Sequence, residues 1–383
     1  MTPPVAGALD GVRIVDLSRV LAAPYATMLL ADLGAEVIKI ERPDGGDETR
    51  SWGPPWHEGE STYFLSVNRN KTSRVIDLRT NEGQREARGL IASSDVLVEN
   101  FRAGTMETFG LGYEQLAGDH PGLVYCSVTG FGSGLGSALP GYDLVVQALG
   151  GLMSVTGDPD TGPTKVGVAL VDVVAGLHAT IGVLAALRHR DRTGIGQKVE
   201  VNLLSSLLSA LSNQASAYLS TAHVPVLMGN RHPSIAPYEV LATADRPLAV
   251  AAANDKLFAQ LVAGLGRPEL KDEPRFETNA TRVAHRDELV FELESVLRTE
   301  SADHWFAHLS GLGVPCGPIN DLAQAFALAE RLGLAPVTVI QDDARRDPVR
   351  QVSHPISLSA TPATYRAAPP LFLAPRAQGP APR

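Results

Sequence analysis

Five short apolar segments of strand length punctuate the first 135 residues, and each is separated from the next by sequence that can form a helix or a turn. They are residues 13–17 (RIVDL), 36–40 (EVIKI), 73–78 (SRVIDL), 95–99 (DVLVE) and 123–128 (LVYCSV). Residues 24–33 and 82–92 between them have helical character, with Pro24 at a plausible first position and Gly34 as a stop. Strands alternating with helices predict parallel βαβ units and a doubly wound α/β sheet. In such sheets ligands bind beyond the carboxyl ends of the strands. Residues 18–22, 41–42, 100–101 and 129–132 are therefore where a site is expected.

Farther along, residues 143–153 look helical, 157–162 form a loop, and 172–190 and 200–219 read as two long helices around a turn at 193–196. Residues 223–237 hold three prolines and suit a crossover into a second unit. That unit has a strand near 247–253 and helices near 256–264 and 286–299. Residues 313–319 (GVPCGPI) read as the linker that returns the chain.

Composition limits the partners. A net charge of -9 argues against nucleic acid or an anionic membrane surface as the main partner. Two cysteines, Cys126 and Cys316, make no disulfide framework and no metal-ligand spacing; they match a reducing, cytoplasmic setting, and no metal is expected. Residues 1–9 lack the pattern of a signal peptide. Residues 167–187 imitate a membrane span, which needs about 20 apolar residues. Asp172 lies near the start of that run and no second span accompanies it, so the segment reads as a buried core helix.

The glycines at 130, 132, 134 and 136 follow a predicted strand, but their spacing and the Pro140-Gly141 pair exclude a dinucleotide fingerprint. A flexible loop beside a substrate is the better reading. Asp172 follows an apolar run and opens a long apolar helix. It reads as an N-cap or as a nucleophilic carboxylate kept ionised by the helix dipole, and the two are compatible. Arg42, Arg69, Lys71 and Arg102 lie near strand ends or in the NRNK loop, where converging cations would suit a phosphate-rich ligand.

Taken together, these segments resemble family III (CaiB/BaiF) CoA-transferases from residue 9 to about residue 358. The resemblance is carried by residues 17–43 (LSRVLAAPYATMLLADLGAEVIKIERP), 46–55 (GDETRSWGPP), 66–71 (SVNRNK), 98–101 (VENF) and 111–116 (LGYEQL). It continues through 127–132 (SVTGFG), 141–143 (GYD), 168–187 (VALVDVVAGLHATIGVLAAL), 193–204 (TGIGQKVEVNLL) and 313–320 (GVPCGPIN). It implies an interlocked homodimer, with a large Rossmann-like domain and a smaller α+β domain. The expected limits are 1–222 for the first part of the large domain, 223–315 for the small domain and 316–366 for the return. Residues 367–383, rich in Pro, Ala and Arg, are expected to be poorly ordered.

The resemblance also implies roles. Asp172 matches the catalytic aspartate and Tyr142 the tyrosine beside it. Arg19, Val20, Leu21, Arg42, Lys71, Asn100 and Phe101 match positions that contact coenzyme A. The implied reaction moves CoA from an acyl-CoA thioester to a carboxylic acid through a covalent aspartyl intermediate. The racemase branch carries a histidine where Tyr142 stands, because it moves an α-proton. The alternatives are such an α-methylacyl-CoA racemase, a non-catalytic CoA-binding protein and, more remotely, a nicotinamide dehydrogenase. The 46–55, 61–71 and 234–240 segments look closest to the succinate–hydroxymethylglutarate branch, so a dicarboxylate acceptor is expected, with Arg231 or His232 as candidate partners of its distal carboxylate. The glycine run of formyl-CoA transferases is absent, and the family's C-terminal pattern is replaced by Pro370-Leu371-Phe372-Leu373.

Overall fold

In a computed structural model that describes residues 7–373, six parallel strands form the central sheet. They are β1 (Arg13–Asp16), β2 (Glu36–Glu41), β3 (Lys71–Val75), β4 (Val96–Glu99), β5 (Val124–Thr129) and β6 (Lys198–Asn202). Their order across the sheet is β6-β5-β4-β1-β2-β3, all pairs parallel. This is the doubly wound order, whose reversal falls between β1 and β4.

The apolar runs have a two-sided burial. On β1, β4 and β5, Ile14, Val96, Val98, Val124 and Cys126 pack on one face; Val15, Leu97 and Tyr125 pack on the other. Successive side chains point to opposite faces, so a strand covered on both sides is apolar throughout. Helices α1 (Ala22–Asp32), α4 (Leu170–Thr193) and α5 (Leu203–Ala210) cover the first face, and α2 (Asn81–Ala92) covers the second. A further helix, α3 (Asp143–Leu149), precedes α4. Pro24 lies in the first turn of α1, where its missing N–H costs no hydrogen bond.

The apolar 170–187 stretch is the heart of α4. Val171, Ala175, Ala179, Val183 and Ala186 are buried against the sheet and α1. Leu177 and Ile181 on its other side are exposed. Gly176 permits the approach: a Cβ there would meet the Ala22 carbonyl oxygen at 2.5 Å.

The first unit comprises residues up to Leu152, Val166–Val224, and the chain from Ala335. The second comprises Met153–Lys165 and Pro225–Leu334. It holds an antiparallel sheet of β7 (Tyr238–Leu241), β8 (Leu248–Ala251) and β9 (Cys316–Pro318), backed by helices whose core includes Phe258, Leu261, Phe276, Leu293 and Trp305.

Four expectations need correction. The GVPCGPI segment is not a return linker: Cys316–Pro318 pairs with β8, so the chain re-enters the first unit at Ala335 instead of 316. Residues 200–219 are not one helix; KVEVN completes the sheet as β6 before α5 begins. Residues 367–373 of the expected disordered tail are packed: Asn70 donates its N–H to the Ala367 carbonyl (2.9 Å), and Arg50 donates to the Pro370 carbonyl (3.0 Å). The rest of that tail, 374–383, lies outside the described residues. Finally, α4 starts at Leu170 with Ala169 at the cap position, so Asp172 is the third helical residue and not the N-cap.

Candidate active site

The switch point between β1 and β4 opens onto a cavity of about 270 Å³. Its wall brings together Arg19, Val20 and Leu21 after β1, Asn100 and Phe101 after β4, the loop after β5 with Tyr142, and Asp172 from α4. These seven are predicted site residues separated in sequence by up to 153 positions (172 − 19), and the fold places all of them on one surface.

The loop after β1 is held from two sides. The Asn100 side chain accepts from the Arg19 N–H (2.9 Å) and donates to the Arg19 carbonyl (2.7 Å). Val20 takes φ +70°, which is strained for a β-branched residue, and Asp47 accepts from its N–H at 3.4 Å. The Arg19 guanidinium lies 5.2 Å from the centre of the Phe101 ring and 3.4 Å from Glu48.

The loop after β5 is closed at its base. A Cβ on Gly130 would meet the Gly141 Cα at 2.5 Å, and the reverse contact would be 2.4 Å. Only glycine at both positions lets the strands of the loop touch. Its exit is thereby aimed at α3, with Tyr142 exposed on the cavity rim at the helix start.

Asp172 is half-buried in the first turn of α4. Ala169 provides no side-chain cap. Asp143 of α3 substitutes for it: its Oδ1 accepts from the N–H groups of Val171 (2.8 Å) and Asp172 (3.3 Å). Burial first, and the Asp143 charge second, push the Asp172 carboxyl up to about 7. Desolvation and a like charge thus work against the helix terminus, which by itself would favour the anion. Tyr63 feels the same charges: burial, then Asp172, Asp143 and Asp47, push its phenol up to about 12.

A neighbouring cavity of about 240 Å³ shares Arg19 and Phe101 with the first and is also lined by Arg42, Arg79, Ile76 and Phe109. Arg42 donates from Nε to the Gly46 carbonyl (2.8 Å) and is otherwise exposed.

The expected convergence of Arg42, Arg69, Lys71 and Arg102 does not occur. Arg102 lines the first cavity and Arg42 the second. Arg69 is buried in an ion pair with Asp32 at 2.6 Å. Lys71 lines neither cavity: its ammonium is buried and donates to Asp16 (3.0 Å), Asn68 (3.0 Å) and the Pro24 carbonyl (2.9 Å). Lys39 lies beside it, donating to the Ser18 carbonyl (2.7 Å) and 2.9 Å from Asp47. Burial pulls Lys71 down to about 8 against the pull of Asp16. Burial also works upward on Asp16, but Lys71 and Lys39 bring it below the usual carboxylate range.

Arg231 and His232 belong to the second unit. Arg231 is already paired with Asp287 (2.7 Å) and Glu239 (3.4 Å), while the His232 ring lies 5.1 Å from Tyr238 and accepts from the Ser234 N–H. Sequence reading missed Asp143, Gln147, Asp47 and Tyr63. Asp143, Asp47 and Tyr63 stand inside the GYD, GDETRSWGPP and 61–71 segments without being singled out there, and Gln147 left no trace.

Comparisons with known proteins bear on this geometry. A family profile described as CoA-transferase family III matches residues 9–372. The chain is 45% identical over 325 residues to succinyl-CoA:glutarate CoA-transferase of Mus musculus, covering 85% of this chain and 74% of that one. It is 41% identical over 371 residues to succinate–glutarate CoA-transferase of Agrobacterium fabrum, covering 93% and 91%. Among solved structures, a CAIB/BAIF family protein from Brucella suis superposes with a TM-score of 0.85 at 40% identity, covering 96% of this chain and 97% of that one.

Proposed function

We propose that this chain, which belongs to CoA-transferase family III, moves coenzyme A from succinyl-CoA to a five-carbon dicarboxylate such as glutarate, with Asp172 holding CoA between them as an aspartyl thioester. The observation that carries the reading is the half-buried carboxyl of Asp172, in the first turn of α4 and on the wall of a cavity at the switch point of a parallel sheet. The glutarate relatives favour this acceptor, and hydroxymethylglutarate, expected from the sequence, is glutarate bearing a methyl and a hydroxyl group. In this reading the thioester occupies the first cavity. The pantetheine–nucleotide end passes Arg19 and Phe101 into the second, where the exposed Arg42 meets its phosphates; Arg79 on the same wall is held by Asp77 (2.8 Å) and Asp44 (3.0 Å). Lys71 then acts from beneath, holding Asp16 and the start of α1, and does not touch the ligand.

The chemistry needs no external energy, because thioester energy is conserved throughout. An Asp172 oxygen attacks the donor carbonyl; the C–S bond breaks and its electron pair leaves on sulfur, giving a mixed anhydride and CoA thiolate. The thiolate attacks the aspartyl carbonyl, releasing the donor acid and leaving an aspartyl–CoA thioester. The acceptor carboxylate runs the two steps in reverse. Shielding from water protects the anhydride.

Because the attacking form is the anion, kcat/KM for the donor should rise about tenfold per pH unit below pH 7 and level off above it. A profile flat from pH 5 to pH 8 would remove Asp172 from that step. Incubation with succinyl-CoA and a panel of carboxylic acids, read by mass spectrometry, should give glutaryl-CoA ahead of monocarboxylyl products, and hydroxylamine should convert residue 172 to a hydroxamate. Absence of both products defeats the proposal.

We read the partner as a second copy of the chain. Leu149, Leu177, Ile181, Leu208 and Leu219, all in the first unit, expose apolar side chains that a homodimer would cover.

A further inference from the structure

The first turn of α4 is not closed by its own residues. Ala169 at the cap position has no side-chain acceptor, and the orphan N–H groups of Val171 and Asp172 both reach Asp143 of α3. Asp143 is itself braced. Its Oδ2 accepts from Gln147 Nε2 at 2.6 Å, and Gln147, fully buried, accepts from the Val166 N–H at 2.9 Å through its Oε1. Two side chains one turn apart on α3 thus hold the segment leading into α4 and the first turn of that helix in one chain of hydrogen bonds.

We propose that Asp143, braced by Gln147, is a positioning residue for Asp172: it supplies the cap that α4 lacks and sets a fixed negative charge against the carboxyl that takes up the acyl group. This rests on the reading of Asp172 as nucleophile. A neutral cap such as serine or asparagine would serve the helix equally well. A charged one does something more, because Asp172 loses its negative charge when it is acylated. The new bond joins an Asp172 oxygen to the acyl carbon, and the electron pair of the broken C–S bond carries the charge away on sulfur. Repulsion from Asp143 therefore burdens the free carboxylate and is relieved in the anhydride and in the aspartyl thioester. The same repulsion that makes Asp172 hold a proton makes it hold an acyl group.

The other charged or titratable groups around Asp172 are few. Arg19, Glu48, Arg102 and Tyr142 line the same cavity, and Tyr63 comes from the helix Thr62–Ser66. Of the elements packed against α4, α1 contributes Tyr25 and Asp32, β5 Tyr125 and Cys126, β6 Lys198 and Glu200, and α5 none; α4 itself carries His178 and, in its last two turns, Arg188, His189, Arg190, Asp191 and Arg192. Asp143 is the one whose charge raises Asp172.

The test uses the full chain as wild type, Asp143→Asn, and the pair Asp143→Asn with Gln147→Glu. The pair keeps a partner for every hydrogen bond in the chain, because the new amide donates to the new carboxylate, and it moves the charge one helical turn away. Asp172 is titrated directly by its 13Cγ NMR signal, assigned with Asp172→Asn, and hydroxylamine measures the fraction of enzyme acylated by succinyl-CoA. In both variants the Asp172 titration should fall by about one pH unit and the acylated fraction several-fold. The acidic limb of kcat/KM should follow, and an unchanged KM for the donor should accompany it. A purely structural cap would leave the paired variant titrating within about 0.2 unit of wild type, and that result overturns the proposal. If residue 172 of the wild type is never acylated, the nucleophile reading fails separately, and the titration alone decides whether Asp143 governs the carboxyl.

Discussion

Replacing Asp172 with alanine should lower CoA transfer by about six orders of magnitude, the scale seen when a covalent nucleophile is removed. The far-ultraviolet spectrum and the binding of free CoA should stay as in the wild type, because Asp172 holds no cap and donates no side-chain hydrogen bond to the fold. The stability effect should run opposite to the activity effect. The folded chain keeps the Asp172 proton up to about 7, against an ordinary value of 3.8. Between those values the folded state binds the extra proton, so this group's contribution is intact below 3.8 and is lost as pH rises through about 7. Asp172→Asn, which cannot ionise, should therefore be more stable than wild type at pH 8 by on the order of 2 kcal/mol, with the gap closing toward pH 4. Urea unfolding at the two pH values measures it. Near-normal turnover by Asp172→Ala, or Asp172→Asn less stable than wild type at pH 8, would contradict the assignment.

Lys71→Met should cost about 3–5 kcal/mol of folding stability, the usual penalty for leaving one member of a buried ion pair without its partner. Asp16 would keep Ser18, Thr27 and Lys39 nearby but lose its direct ammonium contact, and the Pro24 carbonyl and Asn68 would lose their donor. The midpoint of urea denaturation reads this loss. The KM for succinyl-CoA in the folded fraction should change little, since Lys71 lines neither cavity. A variant of wild-type stability whose KM rises tenfold would instead restore the direct CoA contact that the family resemblance implies for this lysine.

These two residues show where sequence reading succeeds and where it stops. The position of Asp172, after a strand-like run and at the opening of a long apolar helix, is visible in the residues around it. Its ionisation is not, because the charge that raises it belongs to a residue 29 positions away. Lys71 is a cation near a predicted strand end, as read; what neutralises it is Asp16, 55 positions earlier. The KVEVN strand was absorbed into a helix because five residues of alternation are outvoted by the apolar sequence that follows, and only pairing with β5 makes it a strand. Arg231, by sequence a candidate partner of the acceptor's distal carboxylate, pairs with Asp287, which lies 56 positions farther along (287 − 231).

By itself, the sequence determined the parallel sheet and the family's reaction class, and it pointed to the end of the sheet where the cavity lies. Those follow from periodicities and ordered motifs that repeat over many residues, so that local errors average out. The tertiary structure alone decided which carboxylate faces which, which lysine is sealed beneath the cavity, and which helix caps which. Electrostatic and hydrogen-bonding energies depend on separations of a few ångströms between side chains that the chain brings together only by folding.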